Sequence, residues 1–269
     1  MYELQSRRPW WYGNQRPRDE HCGPVERGSL MQLVPEAITQ DPSVGFFWMD
    51  DFYRPPATAN GWTVAEDGTE TGTPAVGDVR NGVYRKYTDG DDEDQFMYHT
   101  TYEIFGLESM KHLWWECRVT LAEVSGVTAN YIFGLSEAVA VDHLQDAGGG
   151  PPGTYDGMVW FKVDSDMFFN FETSLAGAQS TTVDYIPHVA GTTYRFGAWC
   201  IPNSLTSYIV YPWYSIGNAR GVLGTGQVQN LTLTGHGPMQ AFFGCKTGDV
   251  GGLTEEYIDI DYFWVAQQR

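Results

Sequence analysis

Four carboxylates near the C-terminus could do chemistry: Glu255, Glu256, Asp259 and Asp261. Retaining glycosidases hold two carboxyl groups about 5–5.5 Å apart, and inverting enzymes hold them about 6.5–9.5 Å apart. Asp259 and Asp261 alternate along an extended segment, so they would share a face at about 6.6–6.8 Å. The spacing therefore permits a glycosidase pair, but carboxylates satisfied by neighbouring side chains are the commoner arrangement and our preferred interpretation.

Other patterns that could carry chemistry are incomplete. The acidic run at residues 89–94 could offer oxygen ligands to calcium, but it lacks EF-hand spacing, and a solvated acidic loop is preferred. The six histidines are scattered and form no zinc-binding HExxH motif. Residues 134–138 lack the last glycine of a nucleophile elbow. We therefore predict no enzyme and no cofactor, with calcium as the one ion that could bind.

Tryptophans are a further group of candidates, because a stacked aromatic face can bind a sugar or a protein partner. The candidates for exposed positions are Trp10, Trp11, Trp114, Trp199 and Trp213. Trp114 alternates with Leu113 and Trp115, so we expect it on the opposite face of its strand. Burial at bends of the core is the preferred alternative for this group.

The elements that must position these residues are short strands. The last of them, over residues 253–269, alternates along its length. One face is predicted to carry Ile258, Ile260, Tyr262 and Trp264. The other is predicted to carry Tyr257, Asp259, Asp261, Phe263 and Val265. Both faces are rich in β-branched and aromatic residues, which is typical of an interior strand.

About a dozen such strands, separated by Gly and Pro turns, follow one another from residue 46 onward. No helical period runs beyond about ten residues, so we predict an all-β fold, a two-sheet antiparallel sandwich over residues 46–269. A long loop over residues 142–156, with a glycine-rich tip, is predicted to be functional or to make contacts.

Residues 1–45 are predicted to be an extended N-terminal arm, because Pro and Gly interrupt every periodic pattern there. The chain has a net charge of −18, yet residues 1–18 carry four arginines against one glutamate. Trp, Tyr and Arg are typical interface anchors. The predicted partner-binding residues are Arg7, Arg8, Trp10, Trp11, Tyr12, Arg16 and Arg18. The arm could pack on its own domain or on a neighbouring subunit, and we expect residues 1–28 to become ordered only in an assembly.

The overall charge also restricts the partners. A polyanion repels nucleic acid and anionic lipid, so direct binding to either is not expected. We find no apolar run of membrane-spanning length and no secretory signal after Met1. Four cysteines without a CxxC pair are expected to be free thiols in a reducing cytosol, with Cys117 and Cys200 buried.

Several short motifs together resemble a known family. They are Phe47-Trp-Met-Asp-Asp-Phe52, Trp62-Thr-Val64, Trp115-Glu-Cys-Arg-Val-Thr-Leu121, Phe133-Gly-Leu135, Asp156-Gly-Met-Val159 and the closing Ile258-Asp-Ile-Asp-Tyr-Phe-Trp-Val-Ala-Gln-Gln-Arg269. This order resembles the concanavalin/laminin-G-like jelly-roll structural proteins of tailed bacteriophages. The resemblance covers residues 46–269.

The resemblance implies a non-enzymatic virion protein, a capsid decoration or cement protein. It would sit on the capsid surface, assemble in the host cytoplasm as a homo-oligomer, and bind the major capsid protein through its arm. The alternative is a carbohydrate-binding adhesin or a lectin-like module of a fibre. A glycoside hydrolase is less favoured, because the Glu-x-Asp-x-x-Glu strand of those enzymes is missing and a shared fold does not transfer activity.

Overall fold

A computed structural model describes most of the chain. The described residues are 30–67, 83–88, 94–107, 110–123, 128–146, 148–175, 177–230, 237–248 and 256–269. Every residue of the predicted partner-binding arm, from Arg7 to Arg18, lies outside them, and so does most of the acidic run at 89–94. The described residues form two antiparallel sheets packed face to face, so the predicted all-β sandwich is confirmed.

The eight-stranded sheet has the order β1-β15-β5-β10-β11-β12, with β3 pairing to β15 and β13 pairing to β11. The C-terminal strand β15 thus lies inside this sheet, as its two apolar faces predict. The strands, numbered along the chain, are β1 (Gly45–Asp50), β3 (Tyr84–Tyr87), β5 (Leu113–Ala122), β10 (Thr193–Ser204), β11 (Ser207–Ile216), β12 (Val222–Leu223), β13 (Gln227–Asn230) and β15 (Tyr257–Gln268).

The seven-stranded sheet has the order β2-β4-β14-β6-β7-β8-β9. Its strands are β2 (Trp62–Asp67), β4 (Gln95–Thr100), β6 (Ala129–Ser136), β7 (Gly157–Lys162), β8 (Phe168–Leu175), β9 (Ala178–Pro187) and β14 (Gln240–Thr247). The helices of the described residues are short. They are α1 (Glu36–Gln40) and the 3-10 turns Leu30–Leu33 and Thr58–Asn60.

The core fills the space between the two sheets, where inward-facing side chains of both interdigitate. Strand β5 shows the predicted alternation, and every second residue from Leu113 to Leu121 lies in this core. Cys117 and Cys200 are buried free thiols, as predicted. Burial in apolar surroundings raises the pKa of both thiols, because it disfavours the thiolate.

Strand β15 departs from the predicted alternation at Asp261. Ile260 pairs with Val119 and Tyr262 pairs with Arg118, so Asp261 is an extra residue, a β-bulge. The bulge shifts the alternation by one residue. The inner core receives Ile258, Ile260, Phe263 and Val265, whereas Tyr262 and Trp264 pack on the outer face. The prediction of one unbroken alternation along this strand is therefore wrong beyond Ile260.

The outer face of the eight-stranded sheet is covered by residues 30–44. Leu30, Val34 and Ile38 pack there against Trp114 and Trp264. Helix α1 has five residues and no side-chain cap, so packing must stabilise it. The described end of the predicted arm thus packs on the sandwich. For residues 1–29 the arm stays a prediction.

The outer face of the seven-stranded sheet is covered by the connection between β6 and β7, residues 137–156. We call it the β6–β7 loop. Its apolar side chains Val139, Leu144 and Tyr155 pack on the sheet residues Ile132 and Phe242 in a second, smaller cluster. A long loop held down in this way can present a fixed polar surface above the sheet.

Candidate functional site

Residues of the β6–β7 loop line a half-open cleft of about 240 Å³. Concave sites with a few convergent polar groups are the usual place for a small ligand. The residues that line the cleft are Glu137, Ala138, Ala140, Val141, Asp142, His143, Pro152, Thr154, Tyr155 and Asp156. The lining overlaps the long loop at 142–156 that the sequence predicts to be functional.

Backbone hydrogen bonds close the loop on itself. The amide of Glu137 donates to the carbonyl of Asp156 over 2.8 Å, which joins the two ends. The amide of Gln145 donates to the carbonyl of Gly150 over 2.9 Å, which closes the tip. With Leu144 and Tyr155 buried beneath, the cleft is held in a defined shape.

A buried lysine ties the rim of the cleft to the sheet. Lys246 of β14 has a side chain that is 2% exposed, and its ammonium lies 3.3 Å from Oδ1 of Asp142 and also contacts Asp146. Gln95 of β4 donates to the same Oδ1 over 2.6 Å and accepts from the Asp142 amide over 3.0 Å. Asp142 is therefore positioned by two strands, while its side chain remains 55% exposed.

The second rim carboxylate, Glu137, rests against backbone. A Cβ placed on Gly237 would lie 2.5 Å from Oε1 of Glu137, so any larger residue at 237 would displace this carboxylate. Within the part of the chain that the structure describes, the Glu137 carboxylate has no hydrogen-bond or ion-pair partner. Its oxygens are therefore available to a ligand.

His143 forms part of the lining and is 4% exposed. Its ring packs edge-on to Phe242, with centroids 4.9 Å apart, and to Tyr155 at 5.7 Å. Burial, together with the nearby His99, lowers the pKa of His143 to about 4, so the ring is neutral at pH 7. Its Nε2 has no hydrogen-bond partner among the described residues. No sequence motif singles out this histidine, because no other metal-binding or catalytic residue type lies at a motif spacing from it.

The carboxylates suspected of glycosidase chemistry do not form a free pair. Asp259 accepts two hydrogen bonds from Arg85, at 2.5 and 2.6 Å. Asp261, in the bulge, forms an ion pair with Arg118. Glu256 is 1% exposed, and Glu255 lies outside the described residues. The three carboxylates that the structure describes, Glu256, Asp259 and Asp261, thus have structural partners or are buried.

The predicted aromatic face is only partly present. Trp114 and Trp199 do stack on the outer face of the eight-stranded sheet, with centroids 6.2 Å apart and planes at 16°. Trp114 is only 2% exposed and Trp213 only 1%, so for these two candidates the preferred alternative, burial, is confirmed. Residues 30–44 cover the cluster that contains both. Trp199 is half-buried, and Trp10 and Trp11 lie outside the described residues.

Comparisons with solved structures identify the fold. Lectin II from Ulex europaeus superposes with a TM-score of 0.52 at 11% identity and covers 83% of this chain and 99% of its own. The metal-free Emp46p carbohydrate recognition domain gives 0.50 at 9% identity, covering 80% and 94%. A protein of unknown function from Shewanella oneidensis MR-1 gives 0.51 at 12% identity, covering 84% and 87%. No protein-family model and no curated protein matches the sequence.

These similarities show a concanavalin-like jelly-roll sandwich, as the sequence predicts. At such identities they show the fold alone. Nothing in these similarities links the chain to phage structural proteins, so the virion role, the capsid partner and the binding function of the arm stay predictions.

The described residues contain no group of three His, Cys, Asp or Glu side chains that could hold a metal ion. No helix in the same residues is long and apolar enough to cross a membrane.

Proposed function

We propose that this protein is a non-catalytic glycan-binding module whose site is the cleft of the β6–β7 loop. The observation that carries the proposal is the pair of positioned carboxylates, Glu137 and Asp142, at the rim of a closed loop. Carboxylates accept strong hydrogen bonds from hydroxyl groups. A sugar, which presents several hydroxyl donors from one rigid ring, matches such a pair of acceptors.

The cleft suits a small ligand. Its volume of about 240 Å³ falls below the roughly 300–1,000 Å³ typical of pockets for drug-sized molecules. One sugar ring, with the remainder of a chain in solvent, is the size of group it would hold. Glu137 and the Oδ2 atom of Asp142 would accept from hydroxyls, and the apolar side chains of Ala140 and Val141 would contact the ring carbons.

The fold supports this proposal. A lectin and a carbohydrate recognition domain share the sandwich, but one fold can host many functions. A hydrolase is not favoured, because Arg85 and Arg118 hold the two aspartates of β15 and, in the cleft, Asp142 is tied to Lys246 and Gln95. Binding without turnover is what the site chemistry supports.

An immobilised glycan array, probed with the full chain, tests the proposal. Ala140→Arg places a long cation in the cleft, and we expect it to weaken retention of any bound glycan by at least about tenfold. Ala190→Arg, at an exposed alanine of the β9–β10 connection, is the matched control and should bind as the unmodified protein does. If the unmodified chain retains no glycan, or if both variants bind equally well, the proposal is wrong.

A further inference from the structure

We infer that the cleft of the β6–β7 loop selects glycans with a free, protonated amino group over their N-acetylated and neutral counterparts. This inference rests on the proposed function, since it names the ligand class of the same site. It follows from the charges around the cleft, from the lack of a compensating cation in its lining, and from the neutral histidine beneath.

The lining carries three carboxylates, Glu137, Asp142 and Asp156, and no lysine or arginine. Asp156 is 6% exposed and has polar contacts of its own. Asp142 shares the buried ammonium of Lys246 with Asp146, so its charge is only partly balanced. Glu137 has no cation within ion-pair distance among the described residues. The rim therefore has uncompensated negative charge.

The rest of the lining adds no positive charge that would repel an amine. His143 stays neutral above about pH 5, because burial lowers its pKa to about 4. The Lys246 side chain is 2% exposed, and the carbonyl of Leu144 accepts from its ammonium as well. This ammonium is thus buried beneath the rim and does not face the cleft opening.

A sugar ammonium fits this arrangement better than an acetamido group does. An ammonium has three donors and no acceptor, so every contact with Glu137 or Asp142 is a charge-assisted hydrogen bond. An acetamido group has one donor and a carbonyl acceptor, and that carbonyl would be repelled by a carboxylate. Because the rim is partly exposed, we expect a preference of about fivefold or somewhat more.

The chain has a net charge of −18 and attracts any cation. Selection of an amine by the cleft must therefore be distinguished from this general electrostatic attraction. Glu137→Gln removes one charge at the rim and keeps one acceptor oxygen. Glu36→Gln removes one charge from α1, which packs on the other sheet, and is the matched control. Both variants have the same net charge, so a difference in amine binding between them is an effect of the cleft.

The experiment is calorimetric titration of the full chain at about pH 6, where sugar amines are protonated. The two ligands are the β-1,4-linked glucosamine trimer and its fully N-acetylated counterpart. We expect the amine trimer to bind at least about fivefold more tightly. In Glu137→Gln the two trimers should bind with equal affinity, whereas Glu36→Gln should keep the preference for the amine trimer.

Three results would overturn the inference. Equal affinity for the two trimers would refute amine selection while leaving glycan binding intact. An equal loss of amine binding in Glu137→Gln and Glu36→Gln would show unspecific attraction. Binding of neither trimer would exclude this ligand class, and the glycan array would then decide the proposed function separately.

Discussion

Replacement of Glu256 should stabilise the protein at neutral and alkaline pH but not near pH 4. This residue precedes β15 and is 1% exposed. Its Oε1 accepts from the Thr128 hydroxyl over 2.6 Å, whereas its Oε2 is buried without a hydrogen-bond partner among the described residues. Burial raises the pKa of Glu256 to about 7, the Thr128 hydrogen bond lowers it, and the nearby Glu123 adds to the increase.

The magnitude follows from the two protonation states. Below about pH 4.5 the carboxyl is protonated in the folded and the unfolded chain, so ionisation costs no stability. Between pH 4.5 and about 7 only the unfolded chain loses the proton, and folding becomes less favourable as the pH rises. The full penalty, present above pH 7, is about 3 kcal/mol on the scale of 1.36 kcal/mol for each pKa unit.

Glu256→Gln is uncharged at every pH and keeps an acceptor for Thr128. Relative to the unmodified protein it should gain little stability near pH 4 and about 2–3 kcal/mol near pH 8. Urea unfolding of both proteins across this range measures the difference. Glu36→Gln, at an exposed site, reports the effect of simply removing one charge. A difference between Glu256→Gln and the unmodified protein that stays constant with pH would refute the reasoning.

The remaining predictions concern strand packing. Gly134→Ala should destabilise the protein by about 2–3 kcal/mol, because the new Cβ would lie 2.3 Å from the Met158 carbonyl oxygen of the neighbouring strand. Gly153→Ala is the control, because no atom lies within 4 Å of the new Cβ at that position. Thermal unfolding compares the two variants, and equal melting temperatures for Gly134→Ala and Gly153→Ala would contradict the clash. Deletion of Asp261 should leave a folded protein, because β15 would then pair with β5 from Ile260 to Tyr262 without a bulge. The deletion removes only the ion pair with Arg118, which at the surface is worth about 1 kcal/mol or less. Loss of the cooperative transition in that deletion would contradict the assignment of the bulge.

The bulge shows why the alternation of residue types alone could not predict which residues of β15 face the core. On β5 the two faces differ, with Glu116 and Arg118 on one side and apolar residues on the other, so the pattern predicted the core correctly. Beyond Asp261, Tyr262 and Phe263 are both aromatic. A shift of one residue exchanges the faces of a strand, and a sequence that is apolar on both faces does not reveal it.

From the sequence, the candidate site could be predicted only as a long loop. Its length and glycine-rich tip mark a connection that carries function, but they do not show what holds it. Lys246 lies 104 residues from Asp142 along the chain, and Gln95 lies 47 residues away. These contacts depend on the order and register of strands in the seven-stranded sheet, which local patterns do not specify. The position of the Glu137 carboxylate likewise depends on its close approach to Gly237.

The most direct test of the central claim is to observe where a sugar binds. In protein with isotope-labelled alanine methyl groups, Ala138 and Ala140 report on the cleft, and Ala190 reports on a distant exposed turn. During titration with the glucosamine trimer, we predict saturable shifts of the Ala138 and Ala140 methyl signals and no shift of the Ala190 signal. Saturable binding that leaves both cleft signals unchanged would contradict the placement of the glycan site in the β6–β7 loop.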